Sequence, residues 1–221
     1  PIPPSYRAMN TPKTTHDLPL WPGIAIVGLA LVGCLIPLAG GPPMGDHEAL
    51  HAQVARNMIL RDDWIVPWFA ESVYGNKPPL KSWMTAAGAR LLTPDAERPV
   101  DQLAARLPSA IMAILNIVLI WRLGASMFGR AVGRTAGVIM TSSVGVLVFA
   151  SNGMMEMTVA TMGAGAFAQF WWAIHARTTA ARWGHFALFY IALGLGVLAK
   201  GPVPIALAAF PIAVWWFAHR P

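Results

Sequence analysis

The sequence predicts an all-α, multi-pass membrane protein, and its composition and apolar windows support that class. Of its 221 residues, 56% are hydrophobic and only 12% are charged, whereas soluble domains carry about 25% charged residues. Apolar windows recur with lengths close to the ~20 residues that a helix needs to cross a bilayer. They lie near residues 20–40, 103–122, 135–153, 157–174, 184–199 and 202–218, which predicts about six spans.

Charged residues are distributed unequally between the two sides of this predicted bundle. With the N-terminus in the cytoplasm, the cytoplasmic side holds eight of the 16 Lys and Arg residues and one acid, Asp17. The opposite side holds the other eight basic residues and nine of the ten acids. This is the positive-inside pattern. The net charge of +6 therefore indicates orientation in a plasma membrane, and no nucleic-acid partner is predicted.

The chain divides into a short tail and one membrane domain. Residues 1–18 are polar and Pro-rich, which predicts a cytoplasmic tail. Residues 19–221 form the predicted transmembrane domain, and residues 41–102 form its first extracytoplasmic loop. The chain lacks an initiator Met and stops just after an apolar window, so we expect it to be part of a longer protein.

Two amphipathic helices are predicted within the first outer loop. Leu50, Val54 and Met58 recur at i+4, the spacing of an apolar helix face. A helix from about Asp46 to Leu60, lying on the outer membrane surface, fits this pattern better than another span. A second helix is predicted over residues 80–92.

The start of this loop contains a literal H-E-x-x-H motif, formed by His47, Glu48 and His51. On a helix, two His residues four apart can bind zinc while the Glu acts as general base. A membrane zinc metalloprotease is therefore the alternative hypothesis. No third ligand motif follows, so a divalent metal is compatible with the loop but is not predicted. The two His residues also suit contact with a substrate.

Carboxylates at the start of the same helix suggest proton transfer. The helix macrodipole favours an ionised acid at Asp46 or Glu48, and an ionised carboxylate can accept a proton from a hydroxyl. Asp46 also suits a simple helix cap. Nine acids and several cations converge on one membrane face from distant loops, as a catalytic site at a bilayer surface requires.

Several motifs together resemble glycosyltransferase family 39, which includes the protein O-mannosyltransferases and the bacterial lipid A aminoarabinose transferases. The resemblance implies a GT-C fold and inverting transfer of a sugar from a polyprenyl-phosphate donor to an acceptor hydroxyl or phosphate. It covers about residues 20–205. The motifs are D-H-E-x-x-H-A-x-x-A-R-N-M from Asp46, D-D-W-I-V-P from Asp62, K-P-P-L-K-S-W-M from Lys77, A-R-L-P-S-A from Ala105, N-G-M-M-E from Asn152 and A-K-G-P from Ala199.

The resemblance implies specific catalytic residues. The family's catalytic Asp corresponds to Asp46, its following Glu to Glu48, and an acid of the second outer loop to Glu156. The family commonly places Asp and Glu side by side, whereas His47 intervenes here. If Glu48 anchors the alignment, His47 occupies the catalytic position. Glu156 stands where the family usually has Asp, which lengthens the side chain.

Three cations are candidates for binding the donor phosphate. The family's Lys before Pro corresponds to Lys77, and a fixed ammonium stabilises the charge that develops on a phosphate leaving group. Arg106 and Lys200 lie at predicted outer helix ends and suit the same task. Both also suit snorkelling to lipid headgroups.

The predicted partners are a polyprenyl-phosphate-linked sugar, a lipid or protein acceptor, and membrane lipids. His47, His51 and Trp83 are the predicted substrate contacts. The site is predicted on the extracytoplasmic face of a plasma membrane, the inner membrane in a bacterium. A transporter or scaffold would place ionisable residues at mid-span, but the charges here lie at the span ends.

Overall fold

The computed structural model describes residues 21–38, 43–92 and 100–218. The predicted tail, 1–18, lies outside the described residues. The all-α class is confirmed, and the described residues add one antiparallel pair of two-residue strands. The elements are α1 (Trp21–Leu35), a 3₁₀ turn (Ile36–Leu38), α2 (Asp46–Arg61), β1 (Trp68–Phe69), β2 (Ser72–Val73), α3 (Leu80–Leu92), α4 (Gln102–Phe128), α5 (Arg130–Ser142), α6 (Val144–Ser151), α7 (Glu156–Ile174), α8 (Thr179–Lys200) and α9 (Val203–Ala218).

Helix α2 forms where its apolar i+4 pattern predicted a surface helix. Gly45 caps it in an extended conformation, and two acids lie in its first turn, where the macrodipole favours them. Asp62 ends the helix with φ 51° and donates its N–H to the Ile59 carbonyl. Val54 and Met58 are fully buried, because α2 packs against α3 and α4.

Helix α4 is the central element of the bundle. It packs against α1, α2, α3, α5, α6 and α7. Its inward face carries small residues such as Ala110 and Ala113, which pack with Ile26, Ala30 and Cys34 of α1. Small side chains let helix backbones approach closely, which is how helices associate where lipid replaces water.

The turn between α4 and α5 is closed by a contact between glycines. A Cβ added to Gly133 would lie 2.5 Å from the Ala125 nitrogen and 2.6 Å from the Trp121 carbonyl oxygen. A Cβ added to Gly124 would lie 3.2 Å from the Gly133 Cα. Only glycine at position 133 allows this approach, so the two helices meet backbone to backbone.

Within the described ranges, two helices are long and apolar enough to cross a membrane, namely α4 and α8. Helices α5 and α6 pass the same test together but are bent by 55° at their junction, giving at most a third span. Residues 25–35 of α1 and all of α9 form shorter apolar helices. Each predicted window contains a helix, but the count of six spans stays a prediction.

Candidate active site

A buried ion pair joins the first turn of α2 to α4. The Glu48 and Arg106 side chains are only 3% and 1% exposed. Arg106 donates from Nε to Oε1 of Glu48 at 2.6 Å and from its guanidinium to Oε2 at 3.0 Å. The Gly153 N–H also donates to Oε1, at 3.1 Å. The Glu48 carboxylate therefore ties together α2, α4 and the segment before α7.

This pairing bears on two predicted roles. Because the Glu48 carboxylate is engaged by Arg106 and Gly153, it is not available as the general base of a zinc protease. Neither Glu48 nor Arg106 lines the pocket beside them. The catalytic role of Glu48 and the phosphate-binding role of Arg106 stay predictions. The geometry assigns both residues to positioning α2 on the bundle.

A pocket of about 200 Å³ lies next to this ion pair, where the surface helices meet the ends of α7 and α8. Four separate parts of the chain contribute to it: the first turns of α2, the loop before α3, the start of α7 with its preceding residues, and the end of α8. Five of the predicted site residues are thereby brought together. The lining consists of His47, His51, Lys77, Met154, Met155, Glu156 and Lys200.

An ion pair forms one wall of the pocket. Lys200 donates from Nζ to Oε1 of Glu156 at 2.8 Å, and the side chains are 37% and 27% exposed. Burial raises the pKa of the Glu156 carboxyl, but the hydrogen bond from Lys200, the backbone N–H of Glu156 and the charges of Lys200 and Lys77 outweigh it. The pKa of Glu156 is therefore lowered, and its side chain is an anion at neutral pH.

His51 faces the same pocket from α2. Its side chain is 4% exposed. Burial lowers the pKa of His51 to about 4, assisted by the positive charges of Lys81 and Lys77. The imidazole is therefore neutral at physiological pH and offers one hydrogen-bond donor and one acceptor.

Lys77 is half-buried at the pocket, directly before two prolines. Proline fixes its own φ and restricts the residue that precedes it, so the backbone holds this lysine in place. With Lys77 and Lys200 against the single anion Glu156, and with a neutral His51, the pocket has an excess of positive charge. That balance suits an anionic ligand.

Lys81 was not singled out from the sequence as a site residue, although it is fully buried behind the pocket. Its Nζ donates to the Ala105 carbonyl at 3.0 Å and to Ser109 Oγ at 3.1 Å, and Ser109 Oγ donates to the Met154 carbonyl at 2.7 Å. Burial lowers the pKa of Lys81 to about 7. Lys81, Thr85 and Ala89 recur at i+4 on one face of α3, and all three are buried. This spacing is the feature of the sequence that could have indicated the burial of Lys81.

Besides Glu48 and Arg106, two more predicted residues, Asp46 and Trp83, lie outside the pocket lining. Asp46 is the first residue of α2 and is exposed, next to His47, which does line the pocket. The indole N–H of Trp83 donates to the Trp64 carbonyl at 2.6 Å, so this ring fixes the loop after α2. The described residues contain no group of three His, Cys, Asp or Glu side chains placed to hold a metal.

Comparison with solved structures identifies the architecture as a GT-C fold. ArnT from Cupriavidus metallidurans, solved with undecaprenyl phosphate bound, matches with a TM-score of 0.80 and 25% identity over 91% of this chain and 36% of that chain. The oligosaccharyltransferase of Archaeoglobus fulgidus matches with a TM-score of 0.71 over 90% of this chain and 25% of that chain. At 15% identity, the second match shows the fold alone.

Residues 76–220 match the dolichyl-phosphate-mannose-protein mannosyltransferase family, and the chain belongs to that family. A relative from Sodalis glossinidius, an undecaprenyl phosphate-alpha-4-amino-4-deoxy-L-arabinose arabinosyl transferase, is 27% identical over 203 residues. That alignment covers 91% of this chain and 36% of the relative, so the chain spans about a third of the relative's length. The resemblance found in the motifs is confirmed, and the chain is a membrane protein.

Proposed function

We propose that this chain forms the donor-binding part of an inverting glycosyltransferase. The enzyme moves a sugar from a polyprenyl phosphate to an acceptor hydroxyl or phosphate, on the extracytoplasmic side of the membrane. The observation that carries this proposal is the pocket itself. It places Lys77 and Lys200 where the surface helices meet the ends of α7 and α8, a position that a lipid-borne phosphate can reach from the bilayer.

The two lysines supply the chemistry that this transfer needs. When the bond between the sugar and the phosphate breaks, negative charge builds on the departing phosphate oxygens. Ammonium groups already in place stabilise that charge without reorganising. The prolines after Lys77 restrict its backbone, and Glu156 holds the Lys200 ammonium in place, so less ordering of the lysines is needed when the phosphate binds.

The first turn of α2 is the proposed source of the proton acceptor. Asp46 and His47 are neighbours there and both are exposed, but only His47 lines the pocket. Either group can take a proton from an acceptor hydroxyl as that oxygen attacks the anomeric carbon. Asp46→Asn and His47→Asn, assayed separately, distinguish them, because only loss of the base lowers kcat and flattens the pH profile.

The lysine assignment is tested by Lys77→Ala in the full-length enzyme. Transfer from undecaprenyl-phosphate sugars is measured in membrane vesicles, and we expect a loss of about 100-fold or more. Arg90→Ala is the matched control. Arg90 lies on α3, half-exposed and 3.7 Å from Asp62, outside the pocket lining, so its loss should leave transfer nearly unchanged. Undiminished transfer by Lys77→Ala overturns the proposed phosphate site.

A further inference from the structure

Two side chains that line the proposed donor pocket each carry a buried polar atom with no hydrogen-bond partner among the described residues: Nδ1 of His51 and Oε2 of Glu156. Both side chains belong to the pocket lining. Buried polar atoms in folded proteins are nearly always paired, and leaving one unpaired is unfavourable. Two such atoms on one pocket therefore indicate a ligand that pairs with them.

The chemistry of these atoms restricts what that ligand is. The ionised Glu156 carboxylate can only accept hydrogen bonds, whereas neutral His51 can accept or donate at Nδ1 according to its tautomer. An ionised phosphate offers acceptor oxygens and suits Lys77 and Lys200, but it has little to donate to Glu156. The partner of Oε2 must carry O–H or N–H groups of its own.

A phosphorylated sugar meets both requirements, because its phosphate pairs with the lysines and its hydroxyl groups pair with His51 and Glu156. We propose that His51 and Glu156 together bind hydroxyl groups of the donor's sugar ring, beside the lysines that hold its phosphate. This inference rests on the proposed function and extends it, since it assigns recognition of the sugar to two named atoms. A site built to hydrogen-bond hydroxyls discriminates strongly against ligands that lack them, because its own buried groups are then left unpaired.

The test compares His51→Leu with His51→Asn in the full-length protein reconstituted in nanodiscs. Leu and Asn have similar size and shape, but only Asn retains a polar atom near the position of Nδ1. Affinity is measured for sugar-free undecaprenyl phosphate, for undecaprenyl-phosphate mannose and for undecaprenyl-phosphate 4-amino-4-deoxy-L-arabinose. The two glycosylated probes carry different sugars on the same phosphate lipid.

We expect the wild type to bind at least one glycosylated probe more tightly than the sugar-free lipid. His51→Leu should weaken that binding about tenfold, the effect of one lost hydrogen bond, while leaving affinity for the sugar-free lipid unchanged. His51→Asn should restore most of the difference. Leu and Asn have similar size at the same position, so rescue by Asn shows that the lost affinity comes from the missing polar atom and not from altered packing.

Any one of three results overturns the inference. The wild type binds neither glycosylated probe more tightly than the sugar-free lipid, His51→Leu weakens the binding of all three ligands equally, or His51→Leu leaves the preference for the glycosylated probe unchanged. Each of them leaves the proposed function intact as long as the sugar-free lipid binds the wild type and needs Lys77. Failure of the wild type to bind undecaprenyl phosphate at all overturns the proposed function instead.

Discussion

Glu48 and Arg106 lie 58 residues apart in the chain and form a two-bond ion pair that is closed off from solvent. In this pair the carboxylate belongs to a surface helix and the guanidinium to the central helix α4. The contact therefore fixes the element that carries His47 and His51 relative to the ends of α7 and α8.

Glu48→Ala is expected to destabilise the protein by about 3–5 kcal/mol, because it leaves the Arg106 guanidinium buried without its counterion. The free energy of unfolding is measured by denaturant titration of the purified protein in detergent. Glu71→Ala is the control, since Glu71 pairs with Arg61 at 3.5 Å while 97% exposed, and its loss should have little effect. Equal losses from the two variants would show that burial does not decide the outcome.

Gly153→Ala should act on the same ion pair by steric pressure. A Cβ at this position would lie 2.9 Å from the Ala105 carbonyl oxygen and 3.0 Å from the Glu48 carboxylate. We expect a loss of about 1–3 kcal/mol, the usual effect of overpacking a tight site. Gly75→Ala is matched to it, because no atom lies within 4 Å of its hypothetical Cβ, and a thermal melt of both variants should separate them clearly.

Lys81 should make stability depend on pH above neutrality. Burial lowers its pKa to about 7 in the folded state, whereas an unfolded lysine keeps a pKa near 10.4. Between these values the unfolded chain binds more protons than the folded one, so stability rises with pH from about 7 to 10. Lys81→Met removes this contribution. Melting temperatures of both proteins between pH 6.5 and 9.5 should diverge in slope, and identical slopes would contradict a buried, titrating amine.

Lys200→Met should change the acid side of the pH–activity profile. Without the ammonium, burial is opposed only by the backbone N–H of Glu156 and the charge of Lys77, so the pKa of this carboxyl rises. The wild-type pair contributes stability above the ordinary Glu pKa and loses it as pH falls through the lowered folded pKa. If ionised Glu156 is needed for the donor, the acid limb of kcat/KM moves to higher pH in Lys200→Met. Lys200→Arg retains the charge and should keep the wild-type limb; an unmoved limb in Lys200→Met contradicts the dependence.

The sequence predicted the helices well where the pattern was local. The i+4 repeat of Leu50, Val54 and Met58 predicted α2, and apolar windows predicted the bundle helices. The convergence of Lys77, Glu156 and Lys200 also followed from sequence, because connections predicted on the same side of a helix bundle must meet at one end of it. Each of these inferences depends on spacing along the chain or on the side of the bilayer.

Interactions across the fold could not be predicted in the same way. Glu48 is predicted to be catalytic because it lies in an H-E-x-x-H motif at a helix start and corresponds to a family Glu. Only the packing of α2 on α4 shows that Arg106 engages it. Lys81 looked like one more basic residue in the loop, since burial of an amine depends on which helix face turns inward. His47 lines the pocket and Asp46 does not, because the side chains of successive residues on a helix point in directions about 100° apart. Sequence alone does not show which of the two faces the pocket.

The glycine contact between Gly124 and Gly133 has a mechanical consequence for the whole bundle. At that end α4 and α5 approach through main-chain atoms of Gly133, Ala125 and Trp121. At the opposite end, α2 is held to α4 by side chains, through the buried Glu48–Arg106 ion pair. Relative motion of α4 and α5 should therefore be smallest at the glycine turn, which acts as a fixed pivot.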